Sequence, residues 1–269
     1  MNLCQTGSVG ILERVTAMKK EEIRNNIVRV RERIRQAALA AGRDPGEIKL
    51  MLAAKYQPLE NLLAAVEAGE TLFGHNLIPQ LETAEIGLRE AAESLSDPTA
   101  LRHRTAVIGH VQSNKLSAAM EYADRIDTVD NFKTARRINH RRALLNEKDA
   151  ANAVYPILLQ VNSAHADTQF GCAPKDLPEM AKRISEELPF VKIEGLMTIG
   201  ANTADREAVI RSFEITRALG AQLRELPGLS EAKELSMGMT GDLELAVEHG
   251  STMVRIGTAV FGPRPGASK

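Results

Sequence analysis

Two turns near the C-terminus carry residues able to hold a small anion. In LSMGMTGDLELAVEHGSTMVRIGTAVFG (Leu235 to Gly262), a short apolar strand predicted over 234–238 enters a turn of Met239, Thr240, Gly241 and Asp242. A helix runs on through Glu248, and a second strand over 253–256 ends in Gly257 and Thr258. Glycine lets backbone N–H groups approach a ligand closely and threonine adds a hydroxyl donor, so two such turns side by side suit a phosphate. The plainer reading is ordinary turn chemistry, with Thr240 or Asp242 capping the helix that follows.

Lys55 ends the almost wholly apolar run IKLMLAA of residues 48–54. A lysine at the end of a buried strand loses hydration, which lowers its pKa and frees the amine for Schiff-base chemistry; otherwise it simply lays its stem on apolar surface. A lysine facing a phosphate cradle suggests either an aldolase-like site for a sugar phosphate or a pyridoxal phosphate site gripping its cofactor at both ends. Arg255, two residues before Gly257, bears on the choice. Arginine only donates, so a pyridine nitrogen facing it stays unprotonated and is a weaker electron sink than one paired with a carboxylate. An ion pair with Asp242 or Glu244 would equally account for Arg255.

These residues need a scaffold that brings strand ends together. Apolar runs at 48–54, 71–73, 105–108, 125–129, 154–161, 193–199, 234–238 and 253–256 alternate with helical patterns at about 59–68, 81–95, 111–123, 131–146, 177–188, 205–226 and 243–248. An amphipathic helix over 19–41, with Ile23, Ile27, Val30, Ile34 and Ala38 at three- and four-residue intervals, precedes them. Eight alternating strand and helix units in one chain of 269 residues predict a single (β/α)8 TIM barrel, α/β in class, spanning 17–269. Residues 1–16 read as a flexible extension, with Met18 as an alternative start. No GxGxxG follows the first strand, which weakens an open doubly wound sheet. In such a barrel function sits at the C-terminal strand ends, which adds Asn76, His110, Asn162, Thr198 and Met237 to the candidates.

Lys plus Arg (34) nearly balance Asp plus Glu (35), and the chain has no Trp, so neither a nucleic-acid footprint nor a membrane-surface patch is expected. The two cysteines, Cys4 and Cys172, lack metal or redox spacing, which points to a reducing, cytoplasmic setting. The histidines form no metal site and there is no GxSxG elbow. The cluster Arg136, Arg137, His140, Arg141 and Arg142 reads as a solvated helix face, with a second anion site as the alternative.

The segments KLMLAAKYQP, LFGHN, VIGHVQSNK, ILLQVN, QFG, GLMTIG and the C-terminal stretch quoted above, in that order over residues 19 to 265, resemble the pyridoxal-phosphate homeostasis proteins. The resemblance implies a fold-type III barrel similar to the N-terminal domain of alanine racemase. It implies that Lys55 holds pyridoxal 5'-phosphate as an internal aldimine. Thr240, Gly257 and Thr258 would grip the phosphate, Arg255 would face the ring nitrogen, and Asn76 and Met237 would line the ring. It further implies a cofactor carrier or buffer rather than a catalyst, with apo-enzymes as recipients; nothing in the sequence reads as an obligate interface, so a monomer is the default expectation. A racemase-like or lyase-like enzyme is the alternative. Where the family reads FGEN, this chain has His75, with Leu77, Pro79 and Gln80 after it, so the loop behind the second strand is expected to close differently. Two-base racemisation also needs a group opposite the lysine. Of Tyr56, Tyr122 and Tyr155 only Tyr56 is near a strand's C-terminal end, and it would point away from Lys55 if still extended.

Overall fold

The strands β1 (Lys49–Ala53), β2 (Leu72–His75), β3 (Arg104–Val107), β4 (Arg125–Val129), β5 (Tyr155–Gln160), β6 (Val191–Met197), β7 (Glu234–Ser236) and β8 (Met253–Ile256) pair in sequence order, and β8 returns to β1. All of the pairings are parallel, closing a barrel in this computed structural model, which describes residues 17–263. The proposed 1–16 extension lies outside the described residues. The helices that follow the strands in turn are α2 (Leu59–Glu67), α3 (Ile78–Glu93), α4 (Leu116–Tyr122), α5 (Phe132–Asp149), α6 (Leu177–Glu187), α7 (Arg206–Glu225), α8 (Leu243–Glu248) and α9 (Thr258–Phe261). The (β/α)8 expectation is met, since crossover helices are what parallel neighbours require.

Several boundaries shift from those expected, β6 to Val191–Met197 and α4 to Leu116–Tyr122 among them, and one short helix is new. Helix α3 begins at Ile78 rather than near Leu81 and takes Pro79 into its first turn, where a missing N–H costs nothing. Strand β7 stops at Ser236, because Gly238 turns to φ +99° and leaves the ladder. Helix α9 was not foreseen: TAVF is too short for periodicity to reveal.

The preceding helix α1 (Lys20–Ala40) buries Ile23, Ile27, Val30, Ile34 and Ala38 as its spacing predicts. Each fully buried isoleucine stabilises by roughly 1.5–3 kcal/mol. Those side chains share a core with Leu243 and Val247 of α8 and Val260 and Phe261 of α9, so α1 clamps the units that carry the two glycine–threonine turns. Polar contacts fix the register of the clamp. Asn26 donates to the Val260 carbonyl (2.9 Å), Arg33 donates to the Thr240 carbonyl (3.1 Å) and pairs with Glu244 (2.8 Å), and Arg43 donates to the Val247 and Ser251 carbonyls (both 2.8 Å).

Inside the barrel, Met51, Ala106 and Met253 form an apolar plug with Leu72 and Ile108 against them. Gly74 makes room for it, since a Cβ there would lie 2.7 Å from the Met51 sulfur. Below the plug, toward the strand N-termini, Arg125 bridges Asp127 (2.6 Å), Glu234 (2.5 Å) and Glu194 (3.1 Å), and Lys49 also reaches Glu234 (2.6 Å). Above it is the mouth formed by the strand C-termini.

Candidate cofactor site at the barrel mouth

Lys55 lies two residues beyond the end of β1, where the chain turns sharply. The Gln57 N–H reaches the Ala54 carbonyl (3.4 Å), the Gln57 side chain donates to the Lys55 carbonyl (3.1 Å), and Asn61 of α2 donates to Gln57 Oε1 (2.9 Å). Tyr56 is therefore not extended. It takes φ +59°, unusual for a bulky residue, and its ring is exposed rather than turned into the mouth. The Tyr56 N–H donates to Gln80 Oε1 (3.3 Å), so one of the residues that distinguish this chain's α3 secures the lysine turn.

Across the mouth, Arg255 points inward from β8, in register with Met51, and is only 5% exposed. Neither of the ion pairs considered for it forms: Glu244 is engaged by Arg33, and the Asp242 carboxylate accepts the Met239 N–H (2.5 Å). Neutral oxygens hold the guanidinium instead, namely the Ser236 carbonyl (2.6 Å), Ser236 Oγ (2.8 Å) and the Thr198 carbonyl (2.7 Å). Burial, partly offset by the fields of Asp127 and Asp242, pushes Arg255 down to about 10, so it stays charged at neutral pH and fixed in direction. Asp242 does sit at the N-cap of α8 but makes no side-chain capping bond; it folds back to close the Thr240–Gly241 turn.

Lys55, Arg255, Thr240, Gly257 and Thr258 converge on one cavity of about 220 Å³. That is smaller than the ~300–1,000 Å³ of pockets for drug-sized ligands and suits a phosphorylated single ring. Gly257 is needed there because a Cβ would press on the Ala53 carbonyl oxygen at 3.1 Å. Among the described residues that line the cavity there is no carboxylate, and the charged side chains are Lys55 and Arg255. A larger hollow of about 330 Å³ opens at the opposite mouth, but its Arg31, Lys49 and Arg125 are matched by Glu70 and Glu234.

Other sequence candidates take different places. Asn76 follows the end of β2, two positions beyond the Ala53–Gly74 pair; it is not among the residues lining the cavity, and its buried Oδ1 has no partner among the described residues. Gly109 presses on it so closely that a Cβ would fall on the Asn76 carbonyl. Met237 is a correction: it is fully buried in the core between barrel and helices with Leu235 and Phe213, and does not line the cavity. Strand alternation explains this, because Ser236 takes the inward position. Asn162 ties its own loop through the Ala166 and Gln169 carbonyls, and Thr198 Oγ1 bonds Ser163 (2.8 Å). His110 stacks on Phe170 at 4.2 Å, joining the loops behind β3 and β5 over the same face. Burial drives the Cys172 thiol up to about 12, which keeps it unreactive. Among the described residues no cluster of metal-type ligands occurs and no helix is long and apolar enough to cross a membrane.

His75 faces away from the cavity, into the layer under α3, with both ring nitrogens buried and unpartnered. Burial lowers it from 6.5 to about 4, with Glu85 opposing and His103 reinforcing the shift. The unfolded chain binds this proton at a higher pH than the folded one, so stability rises with pH. His75's share is complete above about pH 6.5 and is lost as pH falls through about 4, amounting to roughly 3 kcal/mol. Denaturant titrations from pH 7 to 4 are expected to show this loss in the native chain and its absence in His75→Leu; equal pH slopes would contradict it.

Comparison with known proteins follows the geometry. The family model of the alanine racemase N-terminal domain matches residues 51–265. The chain is 37% identical over 242 residues to the pyridoxal phosphate homeostasis protein of Pseudomonas aeruginosa, covering 90% of this chain and 96% of that one. It is 35% identical over 246 residues to the protein of that name from Vibrio alginolyticus, covering 90% and 97%. Among solved structures, PipY of Synechococcus elongatus with PLP bound superposes with a TM-score of 0.71 at 27% identity, covering 89% of this chain and all of that one.

Proposed function

Because the chain belongs to the pyridoxal phosphate homeostasis protein family, we propose that it binds pyridoxal 5'-phosphate in the barrel mouth and serves as a carrier and buffer of that cofactor rather than as a catalyst. The observation that carries this reading is the convergence of Lys55, Arg255 and the two glycine–threonine turns on one cavity.

When bound, pyridoxal phosphate supplies an aldehyde that condenses with amines and a ring that withdraws electrons. Lys55 offers its amine from the end of β1. Thr240, Gly257 and Thr258 offer hydroxyl and backbone donors to a phosphate on the opposite rim, beside the first turn of α9 whose leading N–H groups have no intrahelical acceptor. Arg255, immobilised by Ser236 and Thr198, would donate toward the ring edge and, having no acceptor to offer, would keep a facing ring nitrogen unprotonated. Asn76, one residue beyond β2, would meet the ring with its buried side-chain oxygen. A carrier reading also accords with the tyrosines. Tyr122 is on α4, Tyr155 donates to the Ala123 carbonyl at the start of β5, and Tyr56 is turned outward, so none of the three lines the cavity. The proposed recipients are apo-enzymes that need the cofactor.

Titration with pyridoxal phosphate, followed by visible absorbance, is expected to saturate at one equivalent, with no turnover across a panel of amino acids. A chain that stays colourless, or one that racemises or cleaves an amino acid, overturns the reading. Thr258→Val is expected to weaken cofactor retention by about 1–2 kcal/mol, the scale of one charge-assisted hydrogen bond, measured by equilibrium dialysis. Unchanged retention would remove Thr258 from the phosphate site.

A further inference from the structure

Outside the barrel, α4 and α5 part to leave a groove of about 570 Å³. One wall is the basic face of α5, where Arg136 and His140, and beside them Arg137 and Arg141, stack at i, i+4 spacing. Facing them are the hydroxyls of Ser113 and Ser117, and no carboxylate lines the groove among the described residues. Like charges stacked at this spacing, as Arg137 and Arg141 are, work against the helix that carries them. A sequence that keeps such a local conflict points to a function for it.

Two details distinguish the groove from an ordinary solvated face. Arg142, the fifth member of the cluster, is turned aside onto Asn146 (2.9 Å), which itself accepts from the Ala153 N–H, so that cation serves the fold. Arg141 differs: its Nε is buried and meets no acceptor among the described residues. A buried, unpaired guanidinium N–H is costly unless an anion arrives to accept from it. Arg137 already reaches across the groove to Ser113 Oγ, at the end where both helices start. Because α4 and α5 follow β3 and β4, that end opens on the same rim as the Lys55 cavity. Two leucines complete the lining, Leu116, mostly buried at the start of α4, and the half-exposed Leu144 on α5, one turn beyond the arginines.

We propose that the groove between α4 and α5 is a second ligand site, which takes an organic phosphomonoester with its phosphate between Arg137, Arg141 and the two serine hydroxyls and its apolar body on Leu116 and Leu144. Two cationic donors in fork geometry match a phosphate dianion better than a halide or a carboxylic monoanion. The leucines favour an ester with an apolar body over inorganic phosphate.

The test is isothermal titration of the cofactor-saturated protein with phenyl phosphate and, separately, with inorganic phosphate, in about 0.15 M salt to suppress unspecific attraction. Phenyl phosphate is expected to bind more tightly than inorganic phosphate. Arg137→Gln/Arg141→Gln is expected to weaken it by at least about tenfold, the scale of losing a charged hydrogen bond. Leu144→Ser, at an exposed position that cannot threaten folding, is expected to erase the preference for the phenyl ester while leaving inorganic phosphate binding unchanged. Equal affinity for the two phosphates in the native chain, or native affinity in the double variant, overturns the proposal. The comparison of native and variant chains isolates the groove whether or not the mouth accepts its cofactor, which the visible spectrum reports independently.

Discussion

Replacement of Lys55 by alanine is expected to abolish the borohydride-fixable attachment of pyridoxal phosphate while leaving the barrel folded. The lysine lies beyond the last pair of β1 and contributes no side chain to the plug of Met51, Ala106 and Met253, so its removal costs folding no more than about 0.5 kcal/mol. Its turn is held by Gln57, Asn61 and Gln80, through bonds to backbone or between their own side chains, and these survive the substitution. Phosphate donors and Arg255 remain, so weak, reversible association of the cofactor is expected to persist. Mass spectrometry after reduction checks the loss, and thermal unfolding checks the fold. A fixed adduct of undiminished yield in Lys55→Ala would contradict the assignment of the amine.

The second large effect is expected at the opposite mouth. Arg125→Met removes the cation that Asp127, Glu194 and Glu234 share, and Asp127 is completely buried. Leaving buried carboxylates uncompensated typically costs about 3–5 kcal/mol, a large part of a domain's stability. Replacing Arg125, Asp127 and Glu234 together with apolar residues of similar volume is expected to recover most of that loss, because the desolvation of three charged groups disappears with their attraction. Denaturant unfolding of the single and triple variants decides it; a single variant as stable as the native chain would show that Arg125 contributes no net compensation. Asp127 also lends a favourable field to Arg255, so the triple variant is expected to soften the cofactor site even where stability returns.

The barrel was legible because its strands are short apolar runs separated by helical periods, a pattern that parallel strands buried on both faces produce. The position of Lys55, Arg255 and the glycine–threonine turns at the mouth was legible for a related reason, since residues at the C-terminal ends of such runs lie at that rim, although alternation sends some of them, such as His75, to the helix side. What was not legible depends on contacts across the chain. Nothing local marks Ser236 and Thr198 as the acceptors of Arg255, since each acts largely through its carbonyl. The clamp of α1 on Thr240 and Glu244 joins positions more than 200 residues apart. Asp127 in RIDTV was a visible signal that went unused, because a carboxylate in mid-strand demands a buried partner. Met237 was placed in the ring pocket through likeness to a family, whereas counting two along β7 from Leu235 puts it on the helix side. The loop expected to close differently after His75 is in fact short, because α3 starts at Ile78 and takes Pro79 into its first turn, where proline is accepted.

The central claim is that this barrel mouth grips pyridoxal phosphate through Lys55. Saturating the native chain with the cofactor, reducing with borohydride and mapping the labelled peptides tests it most directly. One label per chain, confined to Lys55, is the result this account predicts. Label spread over surface lysines such as Lys115 and Lys133, or no label at all, would contradict it.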